Sequence, residues 1–501
     1  MKSSEIKAVK DKKLKSKLRK TEKTIRNCVA DEIRAEILYA TEDAGYLEAE
    51  GMEKTFKFSQ ENIQGHLDLN SQRKVFDLSL EDGPYRCKYS RNGKFVLLAG
   101  KTGHIASFDW KAGKLGCETN VEEQVRDVTW LHNEMFYAAA QTNYVYVYDH
   151  TGSEVHCLRK HTDATRLEFL PYHFLLASVG NAGYLRYTDT STGKLVSEIR
   201  TKLGPCKTMT QNPSNAIIHL GHSNGTVTFW SPNTSIPVVK MLCHKGQVKS
   251  LKIDHSGNYM VSSGLDGTMK IWDVRTFKEL FCYSHIQPLS SIDISQRGLL
   301  AVSHGPYANV FKDWQTGYQK NPYLSEMRSG CVVDNLSFCP YDDVLGVGHE
   351  KGFSSFIVPG SGEPNYDGFE SNPFETKKAR REGEVKKILD KIQPEMISLE
   401  GSFVGTIKLD REEIGHKKAK QTFEANNDEE YQRPIKKREH NMTGIRKKLK
   451  KRQNIIDARK EKLREEMKLA RKELRQKDNV EISQPKPKKY SPFDRFVMKK
   501  A

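Results

Sequence analysis

This 501-residue sequence predicts an all-β fold, a seven-bladed β-propeller with basic, helical extensions at both ends. Three observations carry that expectation. A strand–turn–strand pattern repeats through the middle of the chain, closing at Phe108-Asp109, Tyr148-Asp149, Thr188-Asp189, Trp230-Ser231, Trp272-Asp273, Lys312-Asp313 and, in degenerate form, near Ile357. The first six closing pairs lie 40 to 42 residues apart, which suits one four-stranded blade. Each closing strand follows a polar or glycine-bearing turn, and the strand before that turn is apolar, as in Phe95–Ala99, Phe174–Ser178 and Val344–Val347. One blade cannot bury its own faces, so the copies must stack and the ring must close. Seven lies within the usual range of roughly four to eight blades.

The N-terminal extension, residues 1–70, has two characters. Residues 1–24 carry ten Lys/Arg against three Asp/Glu, and acidic residues follow from Asp31 to Asp43. Leu14, Leu18, Ile25, Val29, Ile33 and Ile37 fall at steps of four and seven, which places them on one helical face. Gly51 is expected to end this helix, and the stretch to Asn70 reads as irregular. Two uses of the helix stay open at this point. It rests on its own propeller, or it docks on another protein while its basic start touches phosphate.

Residues 71–362 hold the ring. The clearest copy is His244–Val274, with strands at Gln247–Ile253, Tyr259–Ser263 and Thr268–Val274. Gly267 is expected to supply the positive φ of the tight turn before the last of these. A unit of this length closing on Trp272-Asp273 resembles the WD40 repeat. That resemblance implies a structural hydrogen-bond tetrad of His244, Ser262 or Ser263, Asp266 and Trp272. The His/Ser/Asp set therefore reads as glue within the blade, not as a catalytic triad. The seventh copy, Val332–Pro359, shows only three strands before a Gly/Pro-rich exit, while Lys74–Leu80 precedes the first blade without a partner. That run is expected to be the outer strand of blade seven, closing the ring and removing a free edge. Gly100-Lys101-Thr102 imitates the end of a phosphate-binding loop, but Phe95 stands where the loop needs glycine and no helix follows, so it reads as a hairpin turn. His161, His222, His304 and His349 recur near blade turns without metal-ligand spacing. No catalytic residue, cofactor or metal site is expected.

Residues 363–409 contain a second informative segment, Asn372–Leu399. Thr376 or Glu375 opens a helix, Val385, Ile388, Leu389 and Ile392 line one face of it, and Pro394 stops it. The apolar stripe is expected to pack on the propeller, leaving a basic back toward solvent or phosphate. Lys377, Lys378, Arg380 and Arg381 are the candidate phosphate contacts there. Lys386, Lys387 and Lys391 add to the basic cover.

The tail, residues 410–501, holds 29 Lys/Arg against 16 Asp/Glu. With the whole chain at +17, residues 25–409 are left slightly acidic, so the positive charge lies in the arms and not on the ring. That directs anion binding to the arms, with nucleic acid as the first partner and a membrane surface second. Lys436, Lys437, Arg438, Arg446, Lys447, Lys448, Lys450, Lys451 and Arg452 are the candidate RNA contacts. A long helix from Thr443 to about Lys477 is expected, stable only if its thin apolar stripe finds a partner. Pro485–Tyr490 resembles a nuclear import signal.

The nine cysteines are scattered and form no Cys-x-x-Cys, so they read as reduced, small apolar residues. No apolar run approaches 18 residues, and the lysine-rich start is followed by no apolar core, so neither a spanning helix nor a signal peptide is expected.

Seven WD-like blades, the basic N-terminal helix and the segment NPFETKKARREGEVKKILDKIQPEMISL together resemble the nucleolar WD-repeat protein family of the small-subunit processome. The resemblance covers roughly residues 10–410 and weakens through the tail. It implies a non-enzymatic nucleolar scaffold, present as one copy in a large assembly and needed for maturation of small-subunit ribosomal RNA. The implied partners are the ribosomal RNA precursor, the small nucleolar RNP and other processome proteins, WD40 proteins among them, with no membrane. A nuclear WD40 adaptor for chromatin or a ubiquitin ligase is the alternative.

Overall fold

The computed structural model describes residues 10–39, 44–367, 372, 376–399 and 462–472. The chain divides into two compact units, residues 1–406 and 407–501. The first unit contains seven four-stranded antiparallel sheets. Blades one to six span residues 85–120, 127–158, 164–200, 206–242, 248–284 and 292–327, each a simple meander. The first strand of each blade adjoins the first strand of the next, so these seven strands surround the central channel.

Blade seven is completed from the far end of the chain. Asp77–Ser79 pairs with Gly352–Ile357 in the register Asp77↔Ser354, Leu78↔Phe353 and Ser79↔Gly352. The ladder is shorter than the expected Lys74–Leu80, but bonds beyond it lengthen the closure. Ser355 N donates to Phe76 O at 2.9 Å, Leu80 N donates to Lys351 O at 2.9 Å, and Lys74 Nζ reaches Asp342 at 2.8 Å. Gly352 sits at φ +134°, and a Cβ there would stand 2.0 Å from Leu78 O, so the close approach of the closing strand requires glycine.

The core lies between blades. Leu185, Tyr187, Val227, Phe229, Val248, Leu251 and Met260 form one continuous cluster across blades three, four and five, all nearly or fully buried. Each such side chain contributes about 1.5–3 kcal/mol by leaving water. This is the stacking that a lone blade cannot supply.

The N-terminal extension departs from expectation in two places. Helix α1 (Lys12–Tyr39) stops well before Gly51. Its Leu14, Ile25 and Val29 are exposed, so that part of the apolar face does not rest on the ring. The stretch read as irregular contains helices α2 (Gln60–Gly65) and α3 (Leu69–Gln72). Helix α2 is capped by Ser59, and its Ile63 is buried in the core of blades six and seven. The Gln60 amide imitates a further strand: its Nε2 donates to Ile357 O at 3.0 Å and its Oε1 accepts from Ile357 N at 2.9 Å. A short segment with one well-placed Gln gives no periodic signal, which is why it read as loop.

All nine cysteines are unpaired; six are buried, and Cys28 and Cys282 are exposed. No helix among the described residues is long and apolar enough to cross a membrane. The second unit is described only by a helix over 462–472, so the longer helix expected from Thr443 falls mostly outside the described residues.

Candidate functional site

Blade five shows how the repeat holds itself together. Trp272 Nε1 donates to Ser262 Oγ at 3.0 Å, Ser262 Oγ lies 2.8 Å from His244 Nε2, and His244 Nδ1 lies 3.3 Å from the Asp266 carboxylate. The partners assign one tautomer: Nδ1–H donates to Asp266, and Nε2 accepts the Ser262 hydroxyl proton. Burial lowers the His244 pKa against the opposing pull of Asp266, which keeps the ring neutral and able to accept. Of the two serines left open by the repeat pattern, Ser262 makes these bonds; Ser263 Oγ is buried without a partner. Ser262 is fully buried, so no substrate reaches its hydroxyl, and the constellation crosslinks strands. Gly267 closes the intervening turn at φ +73°.

Blades three and four build variants of the same device. His161 Nδ1 lies 2.6 Å from Ser178 Oγ and its Nε2 lies 2.5 Å from Thr188 Oγ1, so Thr188 takes the place that tryptophan holds in blade five. In blade four, Thr228 Oγ1 joins His222 Nε2 at 2.6 Å and Trp230 Nε1 at 2.8 Å. Burial drives the pKa of both histidines down to about 4, helped by Arg186 beside His161 and Lys240 beside His222.

The loops between first and second strands and, in blades one to six, between third and fourth strands emerge on one face of the ring, because the strands of every blade are antiparallel. The chain after blade seven runs across this face as a strap. Lys111 Nζ, in blade one, donates to Tyr366 Oη at 3.0 Å and also pairs with Asp342 of blade seven at 2.5 Å. Helix α4 (Lys377–Leu389) begins at Thr376, whose hydroxyl accepts from Ala379 N. Its Glu384 accepts a hydrogen bond from Asn133 Nδ2 of blade two. Beyond the helix, Lys391 Nζ binds Asp189 and Ser191, and Ile392 N donates to Tyr172 O at 3.0 Å, all on blade three. In blade four, Ser231 Oγ donates to Ile397 O at 2.9 Å and Asn233 Nδ2 to Glu395 O at 2.7 Å. Ile397 is 3% exposed and joins the core that contains Trp230 and Trp272.

The strap corrects one expectation outright. Most of the apolar stripe does not pack on the propeller: Val385, Ile388 and Leu389 are 58%, 49% and 78% exposed, while Ile392, beyond the helix, is half-buried beside Tyr172 of blade three. The ring-facing side is the polar one, where Arg380, Gly383, Glu384 and Lys387 line a small crevice with Trp130 and Phe174 of blades two and three. The Asn133 bond to Glu384 on the helix, with the Asp189 and Tyr172 bonds to Lys391 and Ile392 just beyond it, fixes the ring-facing side against the amphipathic pattern. Pro394 opens a short 3₁₀ turn instead of ending α4, which stops at Asp390.

The candidate phosphate contacts are therefore split. Lys378 and Arg381 are exposed on the outward side of α4, and Arg380 is half-buried in the crevice. The Lys377 side chain lies outside the described residues, as do Lys436, Lys437, Arg438, Arg446, Lys447, Lys448, Lys450, Lys451 and Arg452. The central channel is also charged, and several of its charges are paired. Lys88 pairs with Glu168 at 3.3 Å, Lys252 with Asp293 at 2.8 Å, and Arg86 lies between Asp127 and Asp334. Among the described residues no cluster of three or more His, Cys, Asp or Glu could hold a metal.

Sequence reasoning missed the anchors Asn133, Asp189, Ser231 and Asn233. One signal was present: Trp230-Ser231 is a tryptophan-closing repeat that lacks the usual aspartate, and its serine holds the strap.

The WD domain, G-beta repeat family matches residues 235–273, and the BING4CT (NUC141) domain family matches residues 322–400, which takes in the last blade and the strap. The chain is 42% identical to U3 small nucleolar RNA-associated protein 7 of Saccharomyces cerevisiae, over 95% of its own length and 90% of that protein. It belongs to that protein's family. WD repeat-containing protein 46 of Mus musculus is 40% identical over 97% of this chain and 78% of its own. The Homo sapiens protein of that name is 44% identical over 77% and 63%. The U3 small nucleolar RNA-associated protein 7 family thus extends over ring, strap and basic arms together.

Proposed function

We propose that this chain is a non-catalytic scaffold of the small-subunit processome, acting in the nucleolus in processing of the ribosomal RNA precursor. The observation that carries this reading is the 42% identity, over nearly the full length, with a protein whose name ties it to U3 small nucleolar RNA. The architecture supports it. The His, Ser and Thr side chains that the repeat brings together in blades three to five bond to one another inside the blades, and several of the channel charges are paired. Positive charge is left in the arms, outside a slightly acidic middle.

In this reading the ring is a rigid hub for processome proteins, including other WD40 proteins. The arms and the outward basic side chains of α4, Lys378 and Arg381, neutralise phosphate of precursor and small nucleolar RNA. The residues from Lys436 to Arg452 act in the same way. The test is affinity purification of the full chain followed by quantification of U3 small nucleolar RNA and precursor RNA. Depletion of the chain is run alongside. Enrichment of both RNAs and loss of mature small-subunit RNA are expected. Purification without either RNA, or normal RNA maturation after depletion, overturns the proposal.

A further inference from the structure

On the outer side of blade seven, the segment that follows α1 leaves an open groove of about 1300 Å³. Its floor is apolar and belongs to the fold itself. Leu47, Phe58 and Leu67 pack partly buried against the core of blades six and seven, and Tyr46, 66% exposed, stands at the edge. The wall is rigid: Leu47 N is held by Tyr323 Oη at 2.7 Å, and the same hydroxyl donates to Pro359 O at 3.0 Å. The groove is larger than the about 300–1,000 Å³ of small-molecule pockets, and its size suits a peptide segment.

The mouth is acidic in a chain of net charge +17. Glu48, Glu50 and Glu53 line it, all exposed, and no ion pair is made by any of them among the described residues. Lys74, the lysine among the lining residues, is already engaged with Asp342, while Lys54 and Lys57 stand beside the groove outside its lining. Phosphate is repelled from such a mouth, while a cationic segment is drawn to it.

We propose that this groove seats a lysine- and arginine-rich segment of another processome protein, its apolar side chains on Leu47, Phe58 and Leu67 and its cations against Glu48, Glu50 and Glu53. The inference rests on the scaffold reading and adds to it a site that discriminates protein from RNA. It also gives the ring a division of labour, with basic arms for phosphate and one acidic, apolar groove for a basic partner. Short apolar anchors flanked by complementary charge are a general mode of peptide recognition.

The experiment places the photo-crosslinking residue p-benzoylphenylalanine at Tyr46 of the full chain in cells. Crosslinked segments are sequenced from purified particles, with and without the triple substitution Glu48→Lys, Glu50→Lys and Glu53→Lys. Crosslinks to one basic, apolar-bearing segment of another protein are expected, reduced about tenfold by the triple substitution. Reversing the charges on that segment is expected to restore them. Crosslinks to RNA, to a second copy or to this chain's own residues 400–501 overturn the proposal. So does a yield that the triple substitution leaves unchanged, or no crosslink at all. The three glutamates are exposed, so the melting temperature should stay within about 2 °C, which separates loss of docking from loss of fold. Recovery of U3 small nucleolar RNA with the parent chain is scored separately; if it persists while the parent chain gives no such crosslink, the groove assignment falls and the scaffold reading stands.

Discussion

Blade five and blade four occupy neighbouring positions in the ring and solve different problems. Blade five carries the full repeat, and its polar side chains are satisfied internally: His244, Ser262, Asp266 and Trp272 bond to one another, and Asp273 accepts from Arg275 N at 2.9 Å to close its own outer turn. Blade four keeps the tryptophan but has Ser231 where blade five has Asp273. That serine turns outward to the strap and donates to Ile397 O. Blade three shows a related departure, with Thr188 in place of tryptophan and an Asp189 that receives Lys391. In blades three and four, a repeat that departs from the tryptophan-aspartate pair also holds the strap.

The sharpest way to break this comparison is to remove the internal device. Trp272→Ala empties a nearly buried indole site and leaves Ser262 without its donor, so the fold should lose about 3–5 kcal/mol in denaturant unfolding. If blade five tolerates this at under about 1 kcal/mol, its tetrad is not what holds it.

The histidines of blades three and four give the next largest effect through pH. Burial lowers His161 and His222 from 6.5 to about 4 in the folded state. A depressed histidine stays neutral in the fold while the unfolded chain takes up a proton. Stability is therefore full above about pH 6.5 and falls as pH drops toward 4, by about 3 kcal/mol for each group. Unfolding curves between pH 7 and 4 should show the decline, and His222→Asn should flatten part of it. A flat profile in the parent chain would remove the buried-neutral assignment.

The strap is expected to be separable from the ring. Ile397→Ala should cost about 2–3 kcal/mol of strap docking, and Ser231→Ala about 1 kcal/mol. Hydrogen exchange over 391–399 should speed up in both variants while blade five keeps its protection. Equal loosening of blade five would mean that strap and ring form one cooperative unit.

The smallest effect tests the reversed helix. Leu389→Glu on α4 should change stability by no more than about 0.5 kcal/mol, because the side chain is 78% exposed. A loss of several kcal/mol would show instead that the stripe is buried against the ring in solution.

Much of the ring was legible because a repeat states the same demand seven times. Spacing, turn residues and alternation all agree, and the missing fourth strand of blade seven points to its partner near the N-terminus, where Asp77–Ser79 pairs with Gly352–Ser354. The strap anchors were less legible. Asn133, Ser231 and Asn233 are ordinary turn residues in their own blades, and their partners are backbone or polar atoms more than a hundred positions away. Amphipathic pattern misled at α4, where a few specific polar bonds turn the helix against its apolar stripe.

By itself, then, the sequence determined the number of blades, their order, the route of ring closure and the concentration of positive charge in the arms, because all of these follow from local periodicity and composition. Which face the post-propeller segment crosses, which side of α4 looks outward and where an apolar floor meets an acidic mouth were decided only in three dimensions. These features arise from contacts between residues far apart in the chain, and no local pattern encodes which distant surface a side chain will meet.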